Sequence, residues 1–246
     1  MSRAATLLFA IFAYAVFFAT FLYLICFVGN FSIAPVTVDR SGPASPVAVA
    51  VVIDLILIAM FGLQHSVMAR QGFKRAWTRI VPHQAERSVY VLVASLMLII
   101  LFLIWRPIEG TLWDAHGTAI EMLLWLGFAA GWGIVLLSTF LLNHFELFGL
   151  QQAWFHVTGR TAAKPQMRQP MFYKWVRHPL YSGFFLAFWS TPVMTYGHLL
   201  LAAGLSVYML IAIQYEERDL VGMFGSDYEN YRKQAGMLTP RLRRRA

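Results

Sequence analysis

Arg177-His178-Pro179-Leu180-Tyr181-Ser182-Gly183 stands directly before Phe184 to Val193, a nearly all-apolar stretch without charge. An Arg-His pair at such a boundary is costly beside hydrocarbon unless it serves a wet interior site. Pro179 suits the first turn of a helix, where its missing N–H is no loss. Arg177 and His178 then stand at a helix N-terminus, whose backbone N–H groups favour a carboxylate or another anion. Tyr181 and Gly183 follow on the first turns, with Gly183 leaving room for a bulky ring, and Tyr173 supplies a hydroxyl or a stacking face. The next apolar run closes on Glu216-Glu217-Arg218-Asp219. Carboxylates are disfavoured by the dipole at a helix C-terminus. They are well placed there to hold a ligand ammonium or ribose hydroxyls. Two helices thus present opposite charges to one charged ligand. A plainer reading makes Arg177–Tyr181 a basic flank with an aromatic belt. The same reading pairs Glu216 or Glu217 with Arg218 or a basic loop, worth only ~0–1 kcal/mol if exposed.

Asn143-His144-Phe145-Glu146 forms a third polar group. His144 is a candidate base near neutral pH, with Glu146 to orient it. Two residues apart, they share a helix face only if the helix has already ended. As a metal site the pair lacks a third ligand at recognisable spacing. Helix-end capping and interface anchoring are the alternative role. Gln151, Gln152 and Trp154 line the loop that follows. Asp54, Gln64 and His65 fall in or near the second apolar run; Asp54 reads as a hydrated structural group, and Gln64 and His65 lie towards the site end. His83, His116, His156 and His198 read as loop residues. Phe224 to Tyr231 reads as an amphipathic tail helix whose aromatics dock on the body, and Arg241 to Arg245 as an anionic-lipid anchor.

The elements that must position these groups are membrane spans. The chain has 246 residues, 59% hydrophobic and only 13% charged, against roughly 45–50% and about 25% in soluble domains. Its mean hydropathy is +0.58. Apolar runs recur at about 5–28, 47–68, 88–105, 118–142, 182–195 and 198–215. The first is too long for a signal-peptide core and reads as a retained helix. Pro192 bends the fifth run, and the last two form a tight hairpin that need not cross fully. Gly127 and Gly131 give the fourth run a small-xxx-small face for close packing. The net charge of +8 gathers in segments 69–87 and 143–177 and in the tail after Tyr215. That alternation places both termini and all candidate chemistry in the cytoplasm and calls for five to six spans, either six helices or five plus a re-entrant element. It explains the basic balance without nucleic acid. The lone Cys26, in an apolar run, is a packing or lipid-facing residue and excludes a disulfide framework. The expected fold is therefore all-α, a polytopic transmembrane bundle forming one integral-membrane domain over 1–246. It carries a site loop at 143–181 and a cytoplasmic tail at 216–246.

The pattern Tyr173-x4-His178-Pro179-x-Tyr181-x-Gly183, the apolar hairpin, Glu216-Glu217, Phe224-Gly225 and Tyr228-x2-Tyr231 resembles the isoprenylcysteine carboxyl methyltransferase superfamily. Asn143-His144-Phe145-Glu146-Leu147-Phe148-Gly149 looks like its nurim-related branch of bacterial methanethiol S-methyltransferases. The resemblance implies an S-adenosyl-L-methionine-dependent enzyme of the bacterial inner membrane that converts methanethiol, a small thiol, to dimethyl sulfide. It implies that Tyr173, His178, Pro179, Leu180, Tyr181, Gly183, Glu216 and Glu217 form the cofactor site, and that His144, Glu146 and Arg177 serve catalysis. Where the prenylcysteine enzymes carry a substrate-holding arginine this chain has Ile213, which suits a small uncharged acceptor. A lipid or prenylcysteine methyltransferase and a non-catalytic nurim-like membrane protein are the alternatives. Membrane lipids are the expected surroundings, and no obligate protein partner is implied.

Overall fold

Helices start and stop where local chemistry dictates in the computed structural model, which describes residues 2–43, 45–162 and 166–241. Lys164 and the arginines at 243–245 lie outside the described residues. Ser2 Oγ accepts the Ala5 N–H at 3.2 Å and opens α1, Arg3–Val28. Prolines precede α2, Val47–Ala69, and α4, His83–Ile104, with the short α3, Gln71–Trp77, between them. A strand, β1, Thr111–Asp114, leads to α5, Ala119–Leu142. Asn143, at φ 129°, ends α5, and the short α6, His144–Leu147, follows. Then come α7, Leu150–Thr158, a 3₁₀ turn at Met171–Lys174, α8, Pro179–Trp189, β2, Val193–Thr195, α9, Tyr196–Phe224, and α10, Ser226–Gln234. Among the described residues, α1, α2, α4, α5 and α9 are long and apolar enough to cross a membrane. The protein is an integral membrane helical bundle.

Several expectations change here. The segment after Asn143 is not bare loop, because Gln151, Gln152 and Trp154 lie on α7. His83, His156 and His198 lie on α4, α7 and α9 and not in loops. The run at 182–195 does not make a full helix: α8 ends at Trp189. Pro192 has no N–H for the carbonyl of Phe188, and it disfavours helical geometry at Thr191. The final arm is longer than its apolar run, since α9 continues through Glu216–Asp219 to Phe224.

Residue contacts divide the chain into two compact units. The first comprises Met1–Asp114, Phe145–Ala163 and Val193–Leu205. In it α4 packs on α1 and α2, α7 packs on α1 and α4, and β1 pairs antiparallel with β2. Gly149 (φ +88°) precedes α7, and a Cβ there would lie 2.5 Å from Ser88 Oγ. Asp54, fully buried, accepts the Arg106 N–H at 2.9 Å. Gln64 Nε2 donates to Met68 Sδ, and the His65 ring lies 5.0 Å from that of Tyr90.

The second unit, Ala115–His144, Lys164–Pro192 and Ser206–Ala246, holds the main candidate groups. Its frame is α5 against α8. Gly131 faces the backbone of Gly183 and Ala187, Gly183 faces Val135, and Gly127 faces Ser190. The eleven residues of α8 reach only about 16 Å, roughly half a hydrocarbon core. The chain then continues to Pro192, whose carbonyl accepts the Ala115 N–H at 2.9 Å. The segment from Pro179 to Pro192 therefore runs antiparallel beside α5 towards that helix's start and is only partly helical. A Cβ at Gly131 would sit 2.7 Å from Gly183 O and 2.9 Å from Ala187 Cα, atoms that cannot swing aside. Gly131→Ala should therefore destabilise by about 1–3 kcal/mol, outweighing up to about 1 kcal/mol of helix propensity gained. Thermal unfolding in detergent checks this, and an unchanged melting temperature would refute the close packing.

Candidate active site

Pro179 occupies the first helical position of α8, so His178 stands as its N-cap and Arg177 just outside. A strap from the chain's end holds this entry in place. Arg177 N–H donates to Gly236 O at 2.8 Å, His178 N–H to Met237 O at 3.1 Å, and Gly236 N–H to Trp175 O at 2.9 Å. Ser182 Oγ donates to Leu238 O at 2.6 Å. From α10, Tyr231 donates its hydroxyl to Tyr173 O at 2.5 Å. Burial pushes the Tyr231 phenol up to about 12. Burial likewise raises Tyr173, with Glu216 adding to the effect. Both phenols stay protonated at physiological pH.

At the centre lies Glu217, whose side chain is 7% exposed. Its Oε1 accepts from Arg177 Nε at 2.7 Å and lies 3.2 Å from His178 Nε2. Its Oε2 lies 3.1 Å from Arg232 Nε. Arg177 also donates to Ala235 O at 2.7 Å. Glu216, half exposed, places Oε2 3.9 Å from His178 Nδ1. Two guanidinium groups, one buried and one half exposed, thus meet two carboxylates around one histidine. The salt-bridge reading holds for Glu217, but with Arg177 and Arg232; Arg218 instead stacks 5.5 Å over Tyr215. Gln214, Glu217, Arg218, Val221 and Arg232 line an open cleft of about 290 Å³.

Leu180 is half-buried on the first turn of α8, and the Tyr181 ring lies 5.7 Å from that of His178. Gly183 turns to α5, so its missing side chain serves helix packing and not the approach of a ring. Ile213 is fully buried.

His144 is 4% exposed, its ring stacked on Phe140 at 4.2 Å. Its Nδ1 lies 2.8 Å from Thr139 Oγ1, and that hydroxyl donates its proton to Leu136 O at 2.7 Å. One hydroxyl has one proton, so with that proton on Leu136 O the pairing suits the tautomer whose Nδ1–H donates to Thr139. The lone pair of the neutral ring is then on Nε2. Burial holds the His144 pKa below the ordinary histidine range, which keeps the ring neutral at pH 7. Val135 faces Gly183, and one turn further along each helix stand Thr139 and Pro179. His144 and His178 therefore belong to the same end of the α5–α8 pair. Glu146 is exposed on α6.

Arg232 and Thr139 escape a reading of the sequence. Arg232 lies 15 residues past its partner and Thr139 inside an apolar run, and neither position carries a signal of its own.

No family model matches the chain, and no solved structure matches it. It is 47% identical to the methanethiol S-methyltransferase of Mycobacterium tuberculosis over 240 residues, 98% of each chain. It is 48% identical to methanethiol S-methyltransferase 1 of Bradyrhizobium diazoefficiens over 95% of this chain and 81% of that one. More distantly, it is 30% identical to nurim of Pan troglodytes over 68% of this chain and 66% of that one.

Proposed function

The chain belongs to the methanethiol S-methyltransferase family, and from that premise we propose that it methylates methanethiol with S-adenosyl-L-methionine, releasing dimethyl sulfide and S-adenosylhomocysteine. The near-full-length identity to enzymes of that name carries this reading. The second unit fits the donor. Its two guanidinium groups and two carboxylates suit a zwitterionic amino-acid end, and the buried Tyr228 hydroxyl has no partner among the described residues. The binding groups are Tyr173, His178, Pro179, Leu180 and Tyr181 at the α8 entry, with Glu216 and Glu217 facing them from α9. Gly183 supports them from behind by seating α8 on α5.

When bound, the donor supplies a methyl group already activated on a sulfonium. The protein must then orient the acceptor in line and keep water away. A thiol attacks well only as thiolate, and its usual pKa of about 8.5 or above leaves little of it at pH 7. His144 Nε2 takes the thiol proton, with Thr139 fixing the ring's tautomer through Nδ1. Arg177 adds positive potential at the same end of the helix pair, and Glu146, two residues past His144 in sequence, is the candidate to orient the ring. Methanethiol partitions into the bilayer and needs only a small apolar chamber. The basic segments 69–87 and 143–177 and the tail orient this end of the bundle towards the cytoplasm of a bacterial inner membrane.

Purified protein given methanethiol and S-adenosyl-L-methionine should release dimethyl sulfide into the headspace. A protein that binds the donor but methylates only a lipid amine or a prenylcysteine would overturn the acceptor assignment.

A further inference from the structure

Beside the cleft between α9 and α10 lies a buried donor that the ion cluster leaves unused. Gln214, Glu217, Arg218 and Val221 follow one face of α9 at three- and four-residue spacing, and Arg232 closes the cleft from α10. Tyr228 lies one turn before Arg232 on α10, is 3% exposed, and packs with Val221. Its hydroxyl is buried and has no hydrogen-bond partner among the described residues, which native structures rarely tolerate. Burial raises its pKa, with Glu217 adding to the effect, so it remains an O–H donor. Arg232 is the movable wall: it is 46% exposed and its recorded ion pair is to Glu217 Oε2. Glu217 Oε1, by contrast, is fixed by the buried Arg177 and by His178.

We propose that the zwitterionic amino-acid end of the methyl donor inserts into the Glu217–Arg232 pair, its ammonium taking Glu217 Oε2 and its carboxylate taking Arg232 and the Tyr228 hydroxyl. This rests on the methyl-donor reading above. The exchange conserves charge, because each protein ion trades one opposite partner for another. A carboxylate is an acceptor only, and a guanidinium has further N–H donors beyond Nε to receive it. Displacing Arg232 from Oε2 also gives the Tyr228 hydroxyl a way out to the ligand. No covalent change occurs in this step.

The test is calorimetric binding to the full-length protein in detergent, using S-adenosylhomocysteine and methylthioadenosine, a thioether nucleoside without the amino-acid end. Tyr228→Phe should weaken S-adenosylhomocysteine on the order of tenfold and leave methylthioadenosine unchanged. The melting temperature of the unliganded variant should stay level or rise, since an unpaired hydroxyl has been removed. Arg232→Gln should give the same selective loss, larger in size. Equal weakening of both ligands, no weakening of either, or a lowered melting temperature in Tyr228→Phe would overturn the assignment and make the hydroxyl a structural group. A wild-type protein that binds neither nucleoside would defeat the methyl-donor reading itself, and this subsite with it.

Discussion

Glu217→Ala should abolish measurable methyl transfer and loosen the site. The side chain is 7% exposed and its partner Arg177 8%, so removing the carboxylate strands a buried guanidinium. Breaking one partner out of such a pair costs about 3–5 kcal/mol, much more than an exposed pair contributes. The damage is local first: Arg177 also holds Ala235 O, and the strap that fixes the α8 entry runs from the same residues. S-adenosylhomocysteine affinity should fall by at least about a hundredfold, the share expected when an ammonium loses its anion and the site loses its order. Glu217→Gln separates the two causes. It keeps the shape and one acceptor but not the charge, so it should recover part of the melting temperature and little of the affinity. An alanine variant that bound the product as tightly as wild type would remove Glu217 from the donor site.

Much of this arrangement is legible before any coordinates, and the reasons are local. The start of α8 can be read because a proline ring fixes its own φ and gives up an N–H that the first turn does not need. Glu216 and Glu217 draw attention because they break the cationic trend of their membrane face, but the helix-dipole argument for them fails: α9 runs on to Phe224, and both lie about two turns inside it. Hydropathy finds the spans, yet it reports the membrane and not the helix. It therefore ends the last run at 215, whereas α9 continues in polar sequence to Phe224. The partners of Glu217 are harder to read. Arg177 comes from 40 residues upstream, and the strap contacts span more than 50 residues, such as Tyr231 to Tyr173. No spacing rule links such positions. Gly183 shows the converse limit: a glycine beside a candidate site invites a ligand reading, and only the backbone of α5 against it reveals a packing role.

His144→Ala is the second decisive substitution, and its effect should depend on pH. In the wild type the ring is neutral at pH 7 because burial lowers its pKa, so turnover should be flat there and fall only as acid protonates Nε2 below the usual histidine range. A thiol at the cysteine value of about 8.5 is only about 3% thiolate at pH 7, and a simple alkyl thiol is less so; a positioned base supplies on the order of 10²–10⁴-fold. The alanine variant should therefore lose at least about a hundredfold in kcat at pH 7 while its affinity for S-adenosylhomocysteine stays close to wild type. Raising the pH supplies thiolate from solution, and the gap should narrow by about tenfold per unit until the thiol's own pKa is reached. Thr139→Val tests the tautomer separately. It removes the acceptor that holds the proton on Nδ1 but leaves the imidazole, so it should lower turnover less than His144→Ala. A His144→Ala enzyme with normal turnover at pH 7, or one whose deficit ignored pH, would show that the thiolate forms without this histidine.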